Sequence, residues 1–213
     1  VHTPHTRTTS RGLLGRVVVL LTVGVLALTG CSSLSTGEGD YVAGDGTVRR
    51  IAAEDRDEPI VLSGKNLDGE EISLADYAGK PVVVNVWWSA CPPCRKEQPD
   101  LTEAAAELRG VAEFVGINIR DSGVDQAKGY QKKFDVPYDS FFSPDGKALM
   151  PFSGKVPPNA IPSTVILDAE GRAAASIIGA IPSKLTLVQL VQDVAGVEGD
   201  ADGDADGGAA SDG

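Results

Sequence analysis

Cys91-Pro92-Pro93-Cys94 places two thiols one helical turn apart, directly after the apolar run Val82–Trp87. This spacing permits three uses: half of a tetrahedral metal site, a structural staple, or a dithiol that opens and closes as a disulfide. If the first cysteine starts a helix, free backbone N–H groups and the helix dipole favour its thiolate, which is the nucleophile of disulfide exchange. A staple is not required, because a domain over roughly residues 55 to 195 is long enough to bury an ordinary core. The first acid after the pair is Glu97. Around a helix it lies about 60° from Cys94.

The surrounding elements would hold this pair in place. Val82-Val83-Val84-Asn85-Val86-Trp87 is a β-branched run of the kind found in a strand covered on both faces. The helix that follows opens with Pro92 and Pro93, tolerated where backbone N–H groups have no intrahelical acceptor, and Pro99 is expected to bend it. Cys94, Leu101, Ala105 and Leu108 share one narrow stripe, which makes Cys94 core-facing and sets Glu97 at the edge of the stripe. The competing reading of Glu97 is a solvated charge paired with Arg95 or Lys96. Trp87 reads as core and Trp88 as the edge of a groove, while Phe141-Phe142 and Met150–Phe152 read as core filling.

A second strand over Glu113–Ile119 and a helix around Val124–Phe134 complete a strand-helix-strand-helix order, which implies a parallel βαβ unit. Turns at Pro144-Asp145-Gly146 lead to a short helix near Ala148–Phe152. Ser163–Asp168 and Ala173–Ile178 then flank a turn as an antiparallel hairpin, and Ser183 reads as the N-cap of a last helix to about Val194. Upstream, Ile60-Val61-Leu62, a turn around Leu67–Glu70, and Ile72 with Leu74 suggest another hairpin, followed by a helical turn at Leu74–Tyr77.

The ends have a different character. Arg7, Arg11 and Arg16 precede the apolar run Val17–Leu28, the layout of a secretory signal too short for the ~20 residues of a spanning helix. Leu28-Thr29-Gly30-Cys31 resembles the lipobox of bacterial lipoproteins, in which the cysteine is acylated and becomes the mature N-terminus. Residues 1–30 are then a leader, and 31–54, polar and Gly-rich, a flexible spacer behind the lipidated Cys31. With Cys31 assigned to lipid, Cys91 and Cys94 pair with each other or stay reduced. His2 and His5 depart with the leader, leaving no imidazole for a Cys-His dyad, a Ser-His-Asp triad or a metal set. The formal charge of −11 becomes −14 once the three leader arginines are removed, which argues against nucleic acid as a partner. Six acids and no base lie in 196–213, a Gly/Ala/Asp tail unable to bury enough apolar surface to order itself. Asp202-x-Asp204-x-Asp206-Gly207 matches the start of a calcium loop, but Gly213 stands where the bidentate glutamate belongs.

The run Asn85-Val86-Trp87 … Cys91-Pro92-Pro93-Cys94-Arg95-Lys96-Glu97-Gln98-Pro99, with Ile161-Pro162-Ser163-Thr164 and Asp168-x-x-Gly171-Arg172 downstream, resembles the TlpA/ResA branch of membrane-tethered thioredoxin-like proteins. The resemblance covers about residues 58 to 195. It implies an α/β thioredoxin fold, a central mixed β-sheet with flanking helices and an N-terminal β-hairpin extension, over residues 55–195. It further implies a thiol–disulfide oxidoreductase with Cys91 as exposed nucleophile and Cys94 as resolving thiol. Pro162 matches the cis-proline facing the active disulfide, with Ile161 pairing to an extended substrate along a groove edged by Trp88, Pro92 and Pro93. Asn85 departs from thioredoxin, which has a buried aspartate there, and Glu97 matches a glutamate of ResA-like members that moves protons in its place. Ala90 also departs, since many relatives carry tryptophan at that position.

The resemblance implies no cofactor and a monomer. Its substrates would be protein disulfides, with the haem-binding cysteines of apocytochromes c as an instance and a membrane thiol-transfer protein as electron donor. The alternative is an oxidase or isomerase of secreted-protein disulfides. A peroxiredoxin would need Thr or Ser where Trp88 stands, and a non-catalytic haem-binding module is poorly served by one methionine, Met150, and no histidine.

Overall fold

The computed structural model describes residues 41–43, 46–155 and 160–197. The leader, Cys31 and the acidic tail from Glu198 onward lie outside the described residues. Strands β1 (Tyr41–Ala43), β2 (Gly46–Arg50), β5 (Val82–Trp87), β6 (Glu113–Asn118), β7 (Ser140–Phe142), β8 (Ser163–Leu167) and β9 (Ala173–Gly179) form one sheet in the order β1-β2-β9-β8-β5-β6-β7. β5, β6 and β7 run parallel, and β8, β9 and β2 follow antiparallel from β5 outward. This is the mixed sheet of the thioredoxin fold.

Every residue of β5 is buried, as its β-branched run requires of a central strand. Its alternation divides the core. Val82, Val84 and Val86 pack with Leu62, Leu74, Phe141 and Phe152, whereas Val83 packs with Leu101 of α1 (Pro92–Glu107), with Leu108 at its C-cap, and with Leu187 and Leu190 of α3 (Lys184–Ala195). Asn85 shares the α1 side of the strand with Val83, so a buried amide faces the helix that carries the cysteines. α2 (Val124–Lys133) follows β6 and completes the parallel unit. Ser183 caps α3 by accepting from Thr186 N–H at 3.1 Å, and Gly196 ends it at φ 66°, a left-handed conformation suited to glycine.

Three expectations are corrected. The spacer read over 31–54 is structured in its last part: β2 joins the sheet by pairing antiparallel to β9, with Val48 opposite Ile177 and buried. The upstream hairpin is β3 (Ser63–Lys65) with β4 (Glu71–Ser73), a separate two-stranded sheet, and Ile60–Leu62 only leads into it. Ile60 and Leu62 are core residues held there by backbone bonds to Gly171 and Leu74, so their apolar pattern records burial and not strand pairing. Met150 is 69% exposed and does not fill the core, although its neighbour Phe152 does. The short segment β7, which contains Phe141, is a strand the sequence reading did not assign. Among the described residues no helix is long and apolar enough to cross a membrane.

Candidate active site

Cys91 stands at the junction of β5 and α1 as the helix N-cap, with Pro92 and Pro93 filling the first two helical positions. Its Sγ accepts from Cys94 N–H at 3.2 Å and is bonded to Cys94 Sγ at 2.03 Å. A helix N-terminus thus points a backbone donor at the first sulfur, the arrangement that favours a thiolate when the bond opens. Among the described residues no group of three potential metal ligands includes the pair.

The asymmetry of exposure expected from the resemblance is absent. Cys91 is 2% exposed and Cys94 1%. Both belong to one apolar cluster with Leu67, Trp87, Ala127 and Tyr130, against which Trp88 and Ile161 also pack. Leu67 arrives from the turn between β3 and β4 and Ile161 from the loop before β8, so long-range elements complete the apolar cluster in which both cysteines are buried. Pro92 and Pro93 are exposed and Trp88 is half-buried. Ile161-Pro162 is cis, and Gly179 N–H donates to the Pro162 carbonyl at 3.0 Å.

Glu97 is 3% exposed, which removes the reading of a solvated surface charge. Each carboxylate oxygen holds one donor from a different element: Asn85 Nδ2 at 3.0 Å on Oε1 and Ile181 N–H at 2.8 Å on Oε2. Burial pushes the carboxyl up to about 7; the Ile181 and Asn85 hydrogen bonds oppose that rise, and the negative charge of Asp100 adds to it. Asn85 Nδ2 also reaches Thr164 Oγ1 at 3.1 Å, while Asn85 Oδ1 is buried without a partner among the described residues.

Several residues of this site were not singled out from sequence. Tyr130 stacks on Trp87 with ring centroids 4.4 Å apart and donates to the Cys94 carbonyl at 2.9 Å. Its burial holds the phenol well above its ordinary pKa, so it stays a donor. Asp121, at the carboxyl end of β6, binds Ser89 in the turn before Cys91. The signal that could have found it is position, since functional groups of parallel sheets collect beyond the carboxyl ends of the strands.

Fold and cysteine pair together define a class: a thioredoxin-fold protein with the Cys-x-x-Cys centre of thiol–disulfide oxidoreductases. Within that class the chain belongs to the AhpC/TSA family, whose sequence profile matches residues 57–176. It is 27% identical over 116 residues to a thiol-disulfide oxidoreductase ResA of Bacillus thuringiensis, covering 54% of this chain and 64% of that one. It is 32% identical over 119 residues to a thiol:disulfide interchange protein DsbE of Pseudomonas aeruginosa, covering 56% and 62% respectively. The chain therefore spans less than two thirds of the length of these curated relatives. The crystal structure of a DsbF homologue from Corynebacterium diphtheriae superposes with a TM-score of 0.65 at 31% identity, covering 72% of this chain and 96% of that one.

Proposed function

We propose that this chain is a thiol–disulfide oxidoreductase that works outside the cytoplasm, anchored to the membrane by lipid on Cys31, and reduces protein disulfides. The observation that carries the reading is Cys91 at the cap of α1, its sulfur accepting from Cys94 N–H and joined to Cys94. In the reducing direction the Cys91 thiolate attacks one sulfur of a partner disulfide. That S–S bond breaks, one partner thiolate leaves, and a mixed disulfide forms. Cys94 then loses its proton and attacks Cys91 Sγ, releasing the second partner thiolate. Two electrons pass to the partner, and Cys91–Cys94 ends oxidised.

Glu97, one turn beyond Cys94 on α1, is the base assigned to the Cys94 proton; a carboxyl near 7 is matched to that task at neutral pH. Pro162, Ile161, Trp88, Pro92 and Pro93 form the groove that receives an extended partner segment. The resemblance to ResA-like proteins supports the substrate class, with haem-binding cysteines of apocytochromes c as the instance and a membrane thiol-transfer protein as donor. The leader over 1–30, with lipidated Cys31 directly after it, and the acidic tail from 196 are proposed from the sequence alone.

The test is a redox titration of the pair against glutathione with thiol trapping. A potential near about −250 mV or lower supports the reducing direction, and about −180 mV or higher assigns the chain to oxidation instead. Cysteines that fail to exchange with glutathione at all would overturn the oxidoreductase reading.

A further inference from the structure

We propose that Asp121 is a positioning residue for Cys91: its carboxylate, acting with the Arg95 guanidinium, locks Ser89 and thereby holds the turn that delivers Cys91 to the helix N-terminus. The inference rests on the oxidoreductase reading above.

Ser89 lies two residues before Cys91, inside a turn closed by Cys91 N–H donating to the Trp88 carbonyl at 3.2 Å. All three of its polar groups are taken. Its hydroxyl donates to Asp121 Oδ1 at 2.7 Å, its N–H to Asp121 Oδ2 at 3.0 Å, and its carbonyl accepts from Arg95 Nη1 at 2.9 Å. Asp121 is 3% exposed and receives a further bond from Asn118 Nδ2 at 2.8 Å, so its carboxylate is fixed from the β6 side. Arg95 is fixed from the other side, its guanidinium lying 5.9 Å from the Tyr130 ring centroid and 5.4 Å from that of Phe134. Arg95 N–H also donates to the Cys91 carbonyl at 3.1 Å. The turn before the first sulfur is thus held between a carboxylate from one loop and a cation from the redox helix itself.

The backbone beside Asp121 bears on the same point. Arg120 has φ 63°, a left-handed conformation rarely adopted by a residue with a long side chain. Such strain persists where the surroundings over-determine it and concentrates at functional sites. Here it turns the chain so that Asp121 points back across the sheet end to Ser89, 32 residues earlier.

Removing the carboxylate acts on the pair twice in one direction. A looser turn lowers the local concentration of Cys91 Sγ at Cys94 in the closed form, and loss of a buried negative charge near the turn favours the thiolate of the open form. Both make the disulfide easier to reduce.

The experiment equilibrates the full chain with glutathione and compares oxidised and reduced melting temperatures. Asp121→Asn is expected to shift the equilibrium constant about fivefold toward the dithiol, roughly 20 mV for a two-electron couple. Ser89→Ala, which removes one donor and keeps the charge, shifts it the same way by about twofold through the lost hydrogen bond. Ser89→Thr, which keeps the hydroxyl, restores the wild-type constant. Equal losses of melting temperature in both redox forms, with an unchanged constant, would show that Asp121 serves only the fold and would overturn the proposal. If Asp121→Asn does not fold, identical constants for Ser89→Ala and Ser89→Thr overturn it instead. A wild-type protein that never exchanges with glutathione overturns the oxidoreductase reading, and the positioning role with it.

Discussion

Replacing Glu97 by glutamine should make the protein more stable at pH 8 and leave its stability nearly unchanged at pH 4. The carboxyl is raised from 4.5 to about 7 chiefly by burial. A folded-state pKa above the unfolded value means that the folded chain holds the proton more tightly. Stability from this group is therefore complete below pH 4.5 and is lost as pH rises through 7. Two and a half pH units at 1.36 kcal/mol each put the cost of ionising Glu97 at about 3 kcal/mol once pH 8 is reached. Glutamine avoids that cost and keeps the shape. Its Oε1 accepts from Ile181 N–H as the carboxylate does, and its Nε2 meets Asn85, whose side-chain amide rotates to present Oδ1, buried and unpartnered in the native protein. Thr164 Oγ1, which accepts from Asn85 Nδ2 before the rotation, donates to Oδ1 after it, and one buried amide atom is left unpaired either way, so the exchange is close to neutral. The assay is urea unfolding of the oxidised proteins at pH 4 and 8. The wild-type-minus-variant stability should fall by about 3 kcal/mol between the two pH values, other groups cancelling in the difference. A difference that stays level would refute the reasoning, because it would mean that Glu97 ionises in the fold as easily as in water. The same variant should also lose the step near pH 7 in the pH profile of protein-disulfide reduction.

Gly116→Ala should destabilise the fold by about 2 kcal/mol through overpacking, read as a lower urea midpoint with altered Trp fluorescence, since a Cβ there would overlap Ser140 Oγ and Trp87 Nε1 and disrupt their hydrogen bond. Cys94→Ser in cells should accumulate mixed disulfides through Cys91 in the membrane fraction, and adding Cys31→Ala should move those adducts to the soluble fraction; adducts that stay with the membrane would refute the lipid anchor, and adducts free of haem-binding-motif peptides would refute the apocytochrome assignment.

What the chain discloses of its fold depends on whether an element is made by its own side chains or by its neighbours. β5 is legible because six consecutive residues must all be buried, and α1 because a cysteine and two leucines mark one face. The β8–β9 hairpin and the Ser183 cap follow from local turn and capping chemistry. β2 is different. Of its described side chains only Val48 is buried and apolar, followed by two exposed arginines, and it becomes a strand because β9 offers an unpaired edge with matching register. β7 is three residues long, too short for any period to appear. Stability that comes from backbone pairing leaves no mark in side-chain spacing.

The site divides on the same line. Cys91, Cys94 and Glu97 lie within two turns of one helix, so the helical wheel places them relative to one another and predicts that Glu97 borders the core. What the wheel cannot supply is the far side of each contact. Asn85 comes from β5, Ile181 N–H from a loop 84 residues beyond Glu97, and the Asp121 that binds Ser89 from a loop 32 residues beyond it, and topology alone brings them together. The burial of Cys91 has the same origin. A helix start considered alone is open to solvent, but the turn carrying Leu67 and the loop carrying Ile161 contribute to the apolar cluster that buries this one. The consequence is chemical as well as geometric. A Cys91 that is only 2% exposed meets a partner disulfide once part of its cover moves aside. The groove residues then govern the rate of attack along with the thiolate, and a potential measured with glutathione reports the pair but not its choice of partner.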